Sequence, residues 1–244
     1  MKKIAIFVEG QTEYDFIKRV LFEIIGESNI SIIANRMFGG NSNSENPRHQ
    51  KPHDEHLVVD APFQASFFIS SGDNKVTSDI QEEKDRLSNL GFSKIIGLRD
   101  IRGDQNKRKL THADLPDIER LHRFVERSVT IPTKIITAVM EIETWFLAET
   151  NHYVCVDDRL TEEFITSKTT KLGFNPYFDD LTQLEKAVES LQAVYKLVGR
   201  QYGKKSESRT KTIHCLDLDH LKNTVGQKIS QVKDLFDNIE EFVE

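Results

Sequence analysis

Five consecutive apolar residues, Ile4 to Val8, followed at once by Glu9 and Gly10, constrain this chain more than any other stretch. Three of the five are β-branched, and an unbroken apolar run of this length reads as a short strand buried on both faces, in a sheet covered by helices. Gly10 permits a sharp turn, Thr12 and Asp15 have the spacing of a helix-capping box, and Phe16, Val20, Leu21 and Ile24 recur at helical spacing. The expected unit is strand, acidic turn, helix. Ligands of open α/β sheets collect outside the carboxyl ends of strands, so Glu9 is placed to hold a metal ion or move a proton.

The pattern recurs along the chain. Residues 30–38 read as a second strand ended by Gly39 and Gly40, residues 64–70 as a third, and residues 93–98 as a fourth. Between the last two, a turn at 71–74 leads into an amphipathic helix over 77–90 that Gly91 stops. The fourth strand runs into Arg99-Asp100-Ile101-Arg102-Gly103-Asp104. A helix over 114–127 and a fifth strand over 134–139 follow, and that strand meets Glu141, Glu143 and the only tryptophan, Trp145. Helical crossovers favour parallel strands, and parallel strands carry their terminal acids to one sheet edge.

Two regions break the alternation. Residues 41–62 are rich in Asn, Ser, Pro, His and charge and read as a long solvated loop, with substrate or metal contact by His49, His53 and His56 as the lesser alternative. From residue 157 onward helical periodicity dominates, over 181–198 and again over 216–243, with a polar, locally basic stretch at 203–211 between them. The expected architecture is α/β: a mainly parallel sheet of four or five strands flanked by helices over residues 1–150, and a helical C-terminal extension over 151–244 packed on it.

Composition narrows the function. No apolar run approaches the length of a membrane span, and Met1-Lys2-Lys3 leads straight into the first strand, so a cytoplasmic protein without a membrane partner is expected. Cys155 and Cys215 have neither metal-type spacing nor a framework partner, which suits a reducing compartment and gives no zinc site. With 33 basic against 39 acidic residues the net charge is −6, so chemistry on nucleic acid would need a local basic patch, a cation-loaded acidic site or a partner's positive surface.

Glu9, then Asp100 and Asp104, then Glu141 and Glu143, each follow a buried strand. Carboxylates brought close repel one another unless a cation or a shared proton compensates, and an all-oxygen set suits Mg²⁺ or Mn²⁺. Such an ion activates water and stabilises a phosphoryl group in transfer. Scattered strand-end and helix-cap acids are the alternative reading.

The run Phe-Val-Glu-Gly-Gln-Thr-Glu at 7–13, the strand-end Asp100 and Asp104, and Glu-Ile-Glu-Thr-Trp-Phe-Leu-Ala at 141–148 resemble a Toprim-like family classed as a domain of unknown function. Its relatives are the Toprim domains of OLD-type nucleases, topoisomerases and primases. The resemblance implies Mg²⁺-dependent phosphoryl chemistry on DNA or RNA, with Glu9 as general acid/base or ligand and Asp100 as the first metal aspartate. Where the family's Asp-x-Asp motif has its second acid this chain has Arg102, and Asp104 falls two residues late. By the same likeness Lys204 or Lys205 matches a lysine near the metal site, against the alternative of a solvated surface pair; Glu143, by its strand-end place, is counted a metal ligand, Lys205 a catalytic group, and Arg102 and Lys204 substrate contacts. Similar proteins belong to phage-defence or restriction-type systems, often encoded beside an AAA-type ATPase. A nuclease is therefore the first reading, and a non-catalytic partner subunit of such an ATPase the second. A homo-oligomer is left open.

Overall fold

The computed structural model describes residues 1–40, 48–70, 75–101, 104–105, 108–203 and 207–244, with the backbone alone at 104, 105, 108 and 109. The expected turn at 71–74 lies outside the described residues. The described residues contain eight strands: β1 (Lys2–Val8), β2 (Ile30–Phe38), β3 (His49–His56), β4 (Phe63–Ile69), β5 (Lys94–Asp100), β6 (Asp104–Gln105), β7 (Arg108–Lys109) and β8 (Thr133–Ala138). Six form one sheet in the order β3-β2-β4-β1-β5-β8, while β6 and β7 pair as a small hairpin. β1 runs parallel to β4 and β5, and β2 parallel to β4. The fold is α/β, with a mostly parallel sheet flanked by helices and a helical C-terminal region.

One strand was not expected. β3 forms from the polar stretch read as loop, pairing antiparallel with β2 at the sheet edge. Its side chains carry no hydrophobic signal because the backbone ladder and polar contacts hold it: Asp54 accepts from Tyr14 Oη and Lys18 Nζ, each at 2.6 Å, and His53 stands edge-on to the Tyr14 ring. The register shifts between Ala34 and Asn35, which pair with Asp54 and Pro52. A bulge on an edge strand is where a ladder tolerates proline and where charged side chains keep the edge from recruiting another strand.

Three helices cover the sheet: α1 (Gln11–Ile25), α2 (Val76–Asn89) and α3 (Leu115–Ser128). Successive strand residues point to opposite faces, and the aromatic pair of β4 shows which helix lies where. Phe67 meets Tyr14 of α1 edge-on at 4.9 Å, whereas Phe68 stacks on Phe7 at 4.5 Å. Phe7 and Phe68 belong to a buried cluster with Val76, Ile80 and Leu87 of α2 and Val125 of α3. Thus α1 covers one face, and α2 with α3 the other. Gly97 lets α2 approach β5, since a Cβ there would come within 3.0 Å of Ile80 Cδ1 and Val76 Cγ1.

The chain divides into two compact units, one of residues 1–137 with 237–244 and one of residues 138–236. In the first, the last residues of the chain rejoin the sheet: Lys94 pairs with Glu241, and Phe242 meets Phe63 at 5.6 Å. The second contains α4 (Glu143–Ala148), α5 (His152–Val156), α6 (Glu162–Thr166), α7 (Thr169–Leu172), α8 (Ala187–Lys196) and α9 (Glu207–Cys215). Trp145, Phe146 and Leu147 are fully buried. The two long helices expected here are broken. Asp180 caps a single 3-10 turn at Leu181–Gln183 before α8 begins, and short turns over 218–228 end at the extended Ile229 before the last helix, Ser230–Val243. Apolar spacing records which residues face inward and is silent about such corrections in direction.

Candidate functional site

β1 and β4 are neighbours, yet β1 feeds α1 on one face and β4 leads to α2 on the other. Adjacent parallel strands whose connections diverge in this way leave a crevice at their carboxyl ends, the usual binding place of an open α/β sheet. Glu9 is the first residue beyond β1 and therefore stands at this crevice, beside the bond from Ser70 N to Val8 O at 2.8 Å.

The register decides what faces Glu9. Val8 pairs with Leu98, which sets Arg99 opposite Glu9 and Asp100 one residue further on. Arg99 Nε lies 3.9 Å from Glu9 Oε1, with the arginine side chain 3 % and the glutamate 11 % exposed. The pleat turns Asp100, also buried, to the opposite side of its strand from Arg99. Glu9 and Asp100 thus end neighbouring strands, with their side chains on opposite sides of the sheet. A guanidinium, that of Arg99, stands beside Glu9, and the sequence reading passed over it.

Further polar groups lie on both faces of the sheet. On the α2 side, Ser70 Oγ donates to Asp79 Oδ2 at 2.5 Å, and Arg48 pairs with the fully buried Asp79 and with Glu82 at 3.4 Å. His122 of α3 is 2 % exposed, with Nδ1 3.3 Å from Thr137 Oγ1. Burial, followed by the charge of Arg99, pushes its imidazole down to about 3, so it stays neutral at pH 7. On the α1 side, Arg36 Nε donates to His53 Nδ1 at 3.2 Å and its guanidinium bonds Gln11 Oε1. The capping box read at Thr12 and Asp15 does not form. The N-cap is Gly10, Gln11 Nε2 donates to Asp15 at 2.8 Å, and Glu13 folds back so that its Oε2 lies 3.1 Å from where a Gly10 Cβ would stand. A side chain at position 10 would displace that carboxylate.

Arg102, Lys204 and Lys205 lie outside the described residues, as does the side chain of Asp104, whose backbone opens β6. Glu143, the first residue of α4, belongs to the second unit, is fully buried and accepts from Tyr202 Oη at 2.9 Å. Glu141 accepts from Val188 N at 3.2 Å. The turn into α4 passes through Met140 at φ 63°, a left-handed conformation that a side chain adopts only where the surroundings hold it. Among the described residues, no group of three or more His, Cys, Asp or Glu side chains is gathered closely enough to hold a metal ion.

The second unit has a polar centre that sequence reading missed. Glu149 is fully buried and accepts from Asn151 N at 2.9 Å, His152 N at 3.1 Å, Asp217 N at 3.2 Å and His220 Nδ1 at 2.8 Å. The two cysteines read as unpartnered are bonded to one another, across a sequence separation of 60 and with Cα atoms 5.6 Å apart. Pairing over that separation is set by how α5 and α9 pack, which residue spacing does not encode. No helix of the described residues is long and apolar enough to cross a membrane. Comparison with protein-family models, curated proteins and solved structures returns no match.

Proposed function

We propose that the crevice at the carboxyl ends of β1, β4 and β5 is the active site of a metal-dependent phosphodiesterase acting on DNA or RNA. The observation that carries this reading is the coincidence of Glu9 with the point where the sheet's connections diverge, with Asp100 on the neighbouring strand. The donors fit a hard ion. Mg²⁺ commonly takes only one or two carboxylates and completes its shell with water and substrate phosphate, so Glu9 alone can anchor it, with Asp100 at the end of the neighbouring strand as the second candidate ligand. Bound there, Mg²⁺ or Mn²⁺ supplies an activated water and neutralises developing phosphoryl charge.

The chain's own groups do the remainder. Glu9 takes or returns a proton at the attacking or leaving oxygen, and Arg99, held 3.9 Å away, fixes its side chain and offers a cation to the phosphodiester. Asp104 as a further ligand and Arg102 as a substrate contact complete the proposal within the first unit. It includes a cytoplasmic setting and an AAA-type ATPase as partner.

One observation favours the second reading, a non-catalytic partner subunit. Arg99 already compensates Glu9 from within the chain, which removes part of the need for a metal. The discriminating experiment measures cleavage of single- and double-stranded DNA and RNA by highly purified wild type and Glu9→Gln, with Mg²⁺, Mn²⁺, Ca²⁺ or EDTA, alone and with any co-encoded ATPase. Metal-dependent turnover that Glu9→Gln removes supports the nuclease. Equal turnover in both preparations means contamination or another site, and the subunit reading replaces it.

A further inference from the structure

We infer that Cys155 and Cys215 form a reversible modification site, a clasp on the second unit that a dithiol opens and a disulfide oxidant closes. Neither the cation nor the nucleic acid of the proposed function enters into it. The Cα separation of 5.6 Å lies in the ordinary disulfide range, and Cys155 is exposed on α5, where a small thiolate can reach its sulfur.

The bond matters because of what it holds. α9 has nine residues, of which only Thr212 and Ile213 are buried, and a helix of that length is marginal in water unless it is tied to the fold. Cys215 ends that helix, so the bond pins its last turn to α5. Polar ties run between the same two segments: Lys211 Nζ donates to Val156 O at 2.8 Å, Asn151 Nδ2 to Asp217 Oδ2 at 3.0 Å, and Glu149 accepts from Asp217 N and His220 Nδ1. Thr212 Oγ1 meets Tyr195 Oη at 2.9 Å inside the core. Opening the bond therefore leaves the segments docked while α9 loosens.

The exchange balances. A thiolate of the dithiol attacks Cys155 Sγ and forms a mixed disulfide, and Cys215 leaves as a thiolate that takes a proton. The second thiol of the reagent then attacks its own sulfur in the mixed disulfide, releasing Cys155 as a thiol. The reagent is oxidised by two electrons to its cyclic disulfide, and the protein gains two thiols. Thiol-buffered compartments favour the open form, so closure reports an oxidising change.

The test uses the full chain, purified under oxidising conditions and compared with the same protein reduced by dithiothreitol, and with Cys155→Ser. Iodoacetamide should add nothing to the oxidised protein and two adducts to the reduced one. Reduction should lower Tm of the second unit by roughly 10 °C. It should speed tryptic cleavage after Arg209 and Lys211 about 10-fold or more as α9 frays, and oxidised dithiothreitol should restore protection. Cys155→Ser should match the reduced protein in either buffer; if it does not fold, the reduced and alkylated wild type serves in its place. Two alkylatable thiols in the oxidised preparation, or cleavage at Arg209 and Lys211 indifferent to reduction, would overturn the inference.

Discussion

Glu9 and Glu149 are both glutamates withdrawn from solvent, one at the carboxyl edge of the sheet and one at the centre of the helical unit. Glu149 receives three backbone N–H groups and an imidazole N–H, so its lone pairs are occupied by partners fixed in the fold. Burial alone would raise its pKa, but hydrogen bonds from His152, His220 and the Asp217 amide outweigh that and hold it below the usual carboxylate range. Glu9 stands at the mouth of a crevice, with the Arg99 guanidinium Nε 3.9 Å from its Oε1. A carboxylate saturated by backbone donors stiffens a fold. One set beside a guanidinium at the mouth of a crevice is placed to meet a ligand.

The largest expected effect breaks the comparison on the side of Glu149. Glu149→Ala should cost about 3–5 kcal/mol of stability in urea denaturation, because it strands buried donors from two chain segments. A loss below about 1 kcal/mol would mean that those hydrogen bonds are replaced by water and that Glu149 is no hub.

On the other side, Glu9→Gln should lower metal-dependent cleavage by about 10²-fold, equivalent to about 2.7 kcal/mol of barrier, while leaving the denaturation midpoint nearly unchanged. If the midpoint falls as far as for Glu149→Ala, Glu9 is structural and the contrast dissolves. Arg99→Gln sharpens the same point. It should destabilise the first unit by about 1–2 kcal/mol in EDTA, and millimolar Mg²⁺ should recover part of the loss by occupying the place of the guanidinium charge. A loss that Mg²⁺ leaves untouched would identify Arg99 as a purely structural partner of Glu9.

The smallest effect is a separation in pH. His122 in the first unit has a folded pKa near 3, below its ordinary 6.5, so between these values the unfolded chain binds the extra proton and stability falls as pH falls through that window. Glu149 in the second unit has a folded pKa below its unfolded value, so its contribution is complete above the ordinary carboxylate range and is lost only on further acidification. Hydrogen exchange followed from pH 7 to pH 4 should therefore show protection declining first in α3 and later around α5. Loss in the reverse order would mean that another group controls acid stability in the first unit.

Much of the fold was legible in the chain. Ile4–Val8, the glycine turn and the spacing of Phe16, Val20 and Leu21 specify a buried strand feeding a helix, because periodicity reports directly on which faces are covered. The same logic placed β2, β4, β5 and β8 within a residue or two and set Glu9 and Asp100 at strand ends. What it missed are relations between distant segments. β3 is a strand only because the edge of β2 offers backbone partners, and Arg99 faces Glu9 only because β5 lies beside β1 in one register.

The sequence by itself determined the alternation of strand and helix and the positions of the strand-end acids, since each depends on apolar residues at fixed local spacing. The tertiary structure decided which cysteine meets which, which cation sits beside Glu9, and that Glu149 is a saturated hub. Those outcomes depend on long-range packing and strand register, where a shift of one residue exchanges Arg99 for Asp100 on the face that Glu9 meets.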